Sequence, residues 1–474
     1  MPPKKTAKSV HGSSARVSVA RVSSARGAVQ PTVQKARKAV SKLASKPAKT
    51  KSVVLPAKAK TTSKAAAAQK AQSNKKKQSN KAARAVPLRY AHPFFTSTPP
   101  GARPQTPYGQ RMQDFAVQHL GPIPKPLRTP VMQLADVIGQ QSADQLAAAG
   151  VIRFHAVGDT GRHGGSVEEE DVAKQMEADY KVGNPTTNPA FLFHMGDVIY
   201  GPGKDNAYRD AFYRPFMNYT GKIIAIPGNH DGETFPGSDP VSLEAFQANF
   251  CLPTSSVPPI AQGVGILRQM VAEPGVYWWL QHDLFDLIAL YSNDGEGQGD
   301  LTDGKGDTQQ TDFLLASLKS IAAARATSKT TKALLLAAHH PAYSNGGHTG
   351  SAQMLAQMDA ACAKAGIVPH VVLAGHAHSY QRYTRRNTIT ASPATTAFLV
   401  AGTGGYGLQA VAAATQTAHP TANAGAAVNP PVYDAALKVY GYLTLTIDRK
   451  QVKVDFWQVP GSTAAPYDSV TCAL

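Results

Sequence analysis

Five short, mostly apolar runs set the frame of this chain, and each ends within three residues of a side chain able to bind a metal. Ile152 to Val157 leads to Asp159, Phe191 to Met195 leads to Asp197, and Ile223 to Ile226 leads to Asn229. Leu334 to Ala338 leads to His339, and Val371 to Ala374 leads to His376. Runs of this length and type read as buried strands. Segments 168–181, 242–250, 311–325 and 351–365 between them have helical spacing. Strands alternating with helices make an α/β fold, and open α/β sheets gather ligands at the carboxyl ends of their strands. The pattern therefore predicts one shared site. Val131, Leu134, Val137 and Ile138 predict a helix over 131–149, and late strands are expected at 397–402, 438–447 and 451–458. Trp278 and Trp279 are expected on a core strand.

The loops after these strands carry Gly158-Asp159-Thr160-Gly161, Gly196-Asp197-Val198-Ile199-Tyr200, Gly228-Asn229-His230-Asp231, His339-His340-Pro341 and Gly375-His376-Ala377-His378. Two Asp, one Asn, three His and one Tyr form a ligand set for two adjacent metal ions, with a carboxylate free to bridge them. Two-metal sites activate water and clamp the oxygens of an in-line phosphoryl displacement. Taken in this order, from Val151 to Gly407, the motifs resemble the calcineurin-like metallophosphoesterase superfamily. That family commonly opens with Asp-x-His, whereas Gly161 stands here in place of the His. Tyr200, three residues after the second Asp, fills the vacancy, as in the purple acid phosphatase branch. The similarity is to its small bacterial-type members, which lack an additional N-terminal β-domain.

The resemblance implies a four-layer α/β/β/α sandwich; periodicity alone gives only α/β. It also implies Asp159, Tyr200 and His378 at metal one, Asn229, His339 and His376 at metal two, and Asp197 between them. Phenolate and carboxylate are hard, charged donors that suit a trivalent ion, and imidazole and amide suit a divalent one. A phenol titrates near pH 10, so only a strongly acidic cation holds it as phenolate in acid. Fe(III) is therefore expected at metal one, with Fe(II), Zn(II) or Mn(II) at metal two. His230 follows a ligand directly, and His348 lies nine residues after His339, where the family has a substrate-facing His. Both are candidates for phosphate binding and general-acid help. Asp231 is expected to orient a His through its free ring nitrogen. His340 is expected to project away from the site. Two alternatives stand beside this reading. A lone Tyr in such a place is ordinarily a core or rim residue, a reading the vacancy at Gly161 argues against, and His163 competes for that vacancy, which implies a divalent metal one and a neutral or alkaline optimum. The glycine-rich stretch 402–407 lacks a following Lys-Ser/Thr and reads as a turn near the site rather than a nucleotide loop.

Charge divides the chain. Residues 1–90 hold 17 Lys and 6 Arg, and no acid occurs before Asp114. The other 26 of the 49 basic residues face all 31 acids, so a +23 segment is joined to a body of net −5. Residues 1–86, rich in Lys, Ala, Ser and Thr, hold too little apolar surface to offset their ordering entropy and are expected to be a disordered tail. The tail suits non-specific binding to nucleic acid or another polyanion; a solubilising spacer and a transit peptide around Arg16, Arg21 and Arg26 are the alternatives. Residues 87–130 alternate Pro with aromatics and read as an extended strap, leaving 131–474 as the catalytic domain. No apolar run is long enough to span a membrane and no secretory h-region is visible, so an intracellular location is favoured, with organelle targeting as the variant. Cys251, Cys362 and Cys472 form no CxxC and allow at most one disulfide. Segments 232–241 with 253–266, and 294–308, read as long loops suited to lids, and 407–432 as a tolerated insertion.

Three functions fit these features. The first is a dinuclear acid phosphomonoesterase using metal-activated hydroxide. The second is a phosphodiesterase or nuclease recruited to nucleic acid by the tail. The third is a polyanion-binding protein with a vestigial metal site, against which the intact ligand set argues.

Overall fold

The computed structural model describes residues 122–474, apart from 163–164, 183–185, 201–204, 233–240, 267, 293–298, 303–305, 329–330, 391–393, 415–430 and 462–463. The basic tail, most of the strap, His163 and most of segments 232–241, 294–308 and 407–432 lie outside the described residues.

Two sheets carry the described fold. The larger runs in the order β1 (Val131–Gln133), β7 (Trp278–Gln281), β8 (Phe285–Leu290), β9 (Ala333–Ala338), β10 (Val371–Ala374), β12 (Thr395–Ala401), β11 (Tyr380–Arg386) and β13 (Val432–Leu437). The smaller runs β16 (Asp468–Ala473), β15 (Gln451–Val459), β14 (Tyr440–Asp448), β2 (Val151–Val157), β3 (Phe191–His194) and β4 (Lys222–Ala225). A separate ribbon pairs β5 (Cys251–Ser256) with β6 (Met270–Ala272). Strands β2, β3 and β4 are mutually parallel, as are β8, β9, β10 and β12.

Period-two alternation explains the layering. On β9, Ala333, Leu335 and Ala337 enter the core between the sheets, while Leu334, Leu336 and Ala338 face the helices outside. On β3, Phe191 and Phe193 face inward and Leu192 outward. The inner core includes Phe154 and Phe191, stacked with ring centroids 4.6 Å apart, together with Leu287, Leu373 and Leu399 of the larger sheet. Each such fully buried side chain contributes about 1.5–3 kcal/mol. Among the described helices, α1 (Leu134–Ile138) and α2 (Gln140–Ala149) precede β2, and α3 (Val167–Glu177) packs Val172 and Met176 on the smaller sheet. Helix α4 (Glu244–Phe250) joins the same outer cluster through Phe246 and Phe250. Helices α5 (Gln309–Thr327) and α6 (Ala352–Ala365) cover the larger sheet through Leu314, Leu318, Met354 and Met358. The result is the four-layer α/β/β/α sandwich.

Two expectations need correction. The helix over 131–149 is a strand followed by two helices. Val131–Gln133 pairs in parallel with Trp279–Gln281, and Gly139, at φ +86°, breaks the remainder. Segment 253–266 is not patternless, since it contains the end of β5 and a helical turn at Pro259–Val264. Cys251, Cys362 and Cys472 are buried free thiols. No helix among the described residues is long and apolar enough to cross a membrane.

Candidate metal centre

Three of the parallel strands, β2, β3 and β10, end in a backbone kink that turns the ligand over the sheet edge. Asp159, Asp197 and His376 sit at φ +61°, +52° and +67°, in the left-handed region that non-glycine residues seldom occupy. Such residues cost on the order of 1–3 kcal/mol each and persist where their surroundings over-determine them, commonly at functional sites. Backbone bonds hold the kinks: the Asp159 N–H donates to the Gly196 carbonyl at 3.0 Å, and the His376 N–H donates to the Asp159 carboxylate at 2.9 Å. Glycine is required between them. A Cβ at Gly228 would collide with the Asp197 carboxylate.

Gly161 explains the departure in the first motif. A Cβ there would overlap the Val198 carbonyl, because the chain at 198–200 runs directly against it. The Tyr200 N–H donates to the Gly161 carbonyl at 2.7 Å, and the same close approach carries Tyr200 into the site. A histidine at 161 and this path for Tyr200 are mutually exclusive.

All seven ligand-type residues converge. The Tyr200 hydroxyl donates to Asp159 Oδ1 at 3.0 Å and lies 3.0 Å from His378 Nε2, which is 3.3 Å from Asp159 Oδ1. In a second group, Asn229 Oδ1 lies 3.2 Å from His339 Nε2 and 3.0 Å from His376 Nδ1, while Asp197 Oδ2 is 3.4 Å from His339 Nε2. Two donors each about 2.0–2.2 Å from one ion at ordinary angles stand roughly 2.9–3.5 Å apart, so both spacings fit a metal. Asp197 belongs to both groups. Its Oδ1 accepts the His230 N–H at 2.9 Å, and its Oδ2 is fully buried with no hydrogen-bond partner. A buried orphan carboxylate oxygen shared by two donor clusters is what a bridging ligand requires.

The rings are pre-set to present lone pairs. His339 Nδ1 lies 2.9 Å from the Met195 carbonyl and His378 Nδ1 lies 2.8 Å from that of Gly407. A carbonyl only accepts, so both Nδ1 atoms carry the proton and both Nε2 atoms face the cluster. Burial opposes charge on His339, but Asp197 and Asp159 raise its pKa to about 9. Burial, then Asp159 and Asp197, pushes the Tyr200 phenol well above 10. Only a highly charged cation would turn it into a ligand anion.

His230 and His348 flank this cluster. The His230 ring lies 4.3 Å from that of Tyr200, and the His348 ring lies 4.3 Å from that of His376. Tyr406 was missed from the sequence, although it lies in the glycine-rich stretch that reads as a turn beside the site. It stacks on Tyr200 at 3.5 Å with rings 5° from parallel, and its N–H donates to the Asp159 carbonyl at 3.0 Å. His340 does not project away from the site. Strand β9 ends at Ala338, so alternation stops there, and the His340 ring lies 4.1 Å from that of His376. Its Nδ1 is 3.0 Å from Ser292 Oγ, a partner no motif indicated.

Asp231 does not meet a histidine ring. Its carboxylate accepts the N–H groups of Gly228, Val198 and Ile199 at 2.8, 3.1 and 3.3 Å, and the Tyr208 hydroxyl at 3.2 Å. It lies in a helical turn at Asn229–Gly232, where its side chain points back at the backbone of two ligand loops. Asp231→Ala is therefore expected to lower stability by about 3 kcal/mol, because several buried N–H groups lose their acceptor. A shift below about 1 kcal/mol in denaturant unfolding would contradict this role.

The sequence model of the calcineurin-like phosphoesterase family matches residues 152–380, from the start of the first ligand-bearing strand to just past His378. Purple acid phosphatase 21 of Arabidopsis thaliana is 24% identical over 221 residues, which are 44% of this chain and 44% of that protein. The chain thus spans less than half the length of that relative. Among solved structures, a purple acid phosphatase from yellow lupin seeds aligns with TM-score 0.45 and 16% identity, over 68% of this chain and 53% of that one. GAP50, described as the anchor in the inner membrane complex of Plasmodium, aligns with TM-score 0.44 and 11% identity, over 68% and 89%. With the family's motifs in order across the loops that build the site, residues 152–380 form a calcineurin-like phosphoesterase domain with similarity to purple acid phosphatases.

Proposed function

We propose that the chain is a dinuclear metal-dependent phosphoric ester hydrolase that acts on phosphomonoesters in acid. The observation that carries this reading is the meeting of the Tyr200 phenol with Asp159 and His378 at 3.0 Å, beside the orphan oxygen of Asp197. Asp159, Tyr200 and His378 would hold Fe(III), and Asn229, His339 and His376 would hold Fe(II), Zn(II) or Mn(II), with Asp197 shared. When bound, the two ions supply positive charge for the phosphate and an acidified water for in-line attack. The chain supplies the rest. His230, beside Tyr200, and His348, beside His376, bind the phosphate oxygens, and His348 donates the proton that the departing alkoxide needs. Burial first, then His378, His340 and His230, holds the His348 imidazole well below its ordinary pKa. The negative charge of the bound ester is what restores its proton.

Colour tests the reading. Iron-loaded protein is expected to absorb broadly in the visible through phenolate-to-Fe(III) charge transfer, and Tyr200→Phe to lose the band. A colourless, fully active di-zinc or di-manganese protein would sink the heterovalent assignment. A phosphodiesterase or nuclease is the second reading, favoured by the +23 segment at residues 1–90. Hydrolysis of p-nitrophenyl phosphate against the bis(p-nitrophenyl) ester separates the two, and a protein with no activity on either when iron-loaded would point to a vestigial site.

A further inference from the structure

The segment after β12 reads as a tolerated insertion, yet its first residues are tied into the site. The Gln409 N–H donates to the His378 carbonyl at 2.9 Å, and the Ala412 N–H donates to the Asn345 carbonyl at 3.0 Å. Val411 bridges to Gly346, and the Tyr433 hydroxyl donates to the Ala412 carbonyl at 2.6 Å. The segment therefore clamps residues 344–348, the loop that presents His348. Gln409 is only 5% exposed, and its amide nitrogen lies 2.6 Å from His348 Nε2. The approach depends on Gly347, where a Cβ would stand 2.5 Å from Gln409 Oε1. The His348 main chain is held separately, by the Ser344 hydroxyl donating to its carbonyl at 2.6 Å. Gln409 also lines a cavity of about 720 Å³, with His378, Tyr406 and Asn345 among its walls, directly beside the metal cluster. That volume suits the leaving portion of a small ester.

We propose that Gln409 is a positioning residue for His348, fixing the angle at which its imidazole meets the leaving oxygen. The inference rests on the reading of His348 as proton donor. In that step the P–O bond to the leaving group breaks, and its electron pair stays on the departing oxygen. That oxygen takes a proton from Nδ1 of the ring, since Nε2 is turned to Gln409, and the ring becomes neutral and regains a proton from solvent. A primary amide suits such a ring. Its N–H donates to an unprotonated ring nitrogen, and after rotation its carbonyl accepts from a protonated one. A ring packed against His376 that loses the Gln409 amide loses the contact at Nε2 that sets its angle about the Cβ–Cγ bond, and the donor leaves its line.

The test compares two esters in the full-length, iron-loaded protein. An alkyl monophosphate needs its leaving group protonated, whereas p-nitrophenyl phosphate hardly does. Gln409→Leu is expected to lower kcat on the alkyl ester about 10-fold, as loss of a supporting hydrogen bond commonly does. kcat on the p-nitrophenyl ester should fall by less than about threefold, since that leaving group hardly needs a proton; the comparison is made in kcat because Gln409 also lines the cavity. In a His348→Ala background the same change should add nothing, because both act through one ring. Gln409→Glu, which still accepts a ring N–H, should recover most of the alkyl rate and serves if the leucine variant folds poorly. In metal-free protein, histidine ring ¹⁵N resonances should shift for His348 in Gln409→Leu and hold for the other rings. Equal loss on both esters, additive loss in the His348→Ala background, or an unshifted His348 resonance overturns the proposal. If His348→Ala slows the alkyl ester and Gln409→Leu does not, the Gln409 role alone falls. If His348→Ala hydrolyses the alkyl ester as the parent does, the reading of His348 falls and takes the proposal with it.

Discussion

Asp197→Asn is expected to cost at least about 100-fold in turnover on a phosphate monoester, the scale seen when a centre loses a key electrostatic group. The reason lies in the two oxygens. Oδ1 accepts the His230 N–H at 2.9 Å, Oδ2 has no hydrogen-bond partner, and the residue is shared between the two donor groups. An amide keeps the shape but carries no charge, and one of its two ends is a donor that repels a cation. Burial works against charge on Asp197, and His339 and His230 overcome it and hold its pKa well below the usual carboxylate range. The substitution therefore removes the one negative charge common to both metal groups. Metal content should fall along with kcat. By contrast, His348→Ala should slow turnover with both ions retained, because His348 packs against His376 rather than standing among the donors. Retained activity in Asp197→Asn, or metal loss in His348→Ala, contradicts these roles.

Removal of residues 1–85 is expected to abolish binding to DNA or RNA at low salt while leaving turnover on a small phosphate ester within about twofold. The segment we propose as a tail holds the +23 charge, and the remaining body, at net −5, repels a polyanion. With no acid before Asp114, the segment carries no neutralising charge of its own, which favours counterion displacement on a polyanion. Full-length binding should then weaken by roughly 10³ or more between about 50 and 200 mM salt if six or more phosphates are engaged. Salt-independent binding, or affinity that survives in the truncated protein, overturns this reading. Cleavage of the segment on entry to an organelle would favour the transit-peptide alternative. Catalysis should be indifferent to the deletion, since every candidate site residue lies between Asp159 and Gln409.

The core strands were legible because burial on both faces leaves a nearly continuous apolar run, as in Ala333–Ala338 and Val371–Ala374. Strands that carry polar residues on one face, such as Tyr380–Arg386 and Asp468–Ala473, gave no such signal and were missed. Motif order and spacing indicated which loops carry metal-type donors, since each donor must follow its strand by a fixed short turn. Spacing gives no account of what lies across a loop. The roles of Asp231, His340 and Tyr406 depend on contacts between segments distant in the chain, such as Asp231 with Ile199 and Tyr406 with Tyr200.

The sequence by itself determined the alternation of strands and helices, the residue types at the carboxyl ends of those strands, and the division of charge between residues 1–90 and the rest. These are local properties, set by apolar period, turn chemistry and composition. The tertiary structure decided the rest. Asp159, Asp197 and Asn229 come from one sheet and His339, His376 and His378 from the other, so the site exists only where the two sheets bring their carboxyl edges together. The left-handed kinks at Asp159, Asp197 and His376 are affordable only because hydrogen bonds from the opposing loops hold them. Gly161 and Tyr200 are linked by the same physics. Two backbones pass too close for any side chain at 161, and that contact, which no one-dimensional pattern encodes, carries the phenol to its place beside Asp159 and His378.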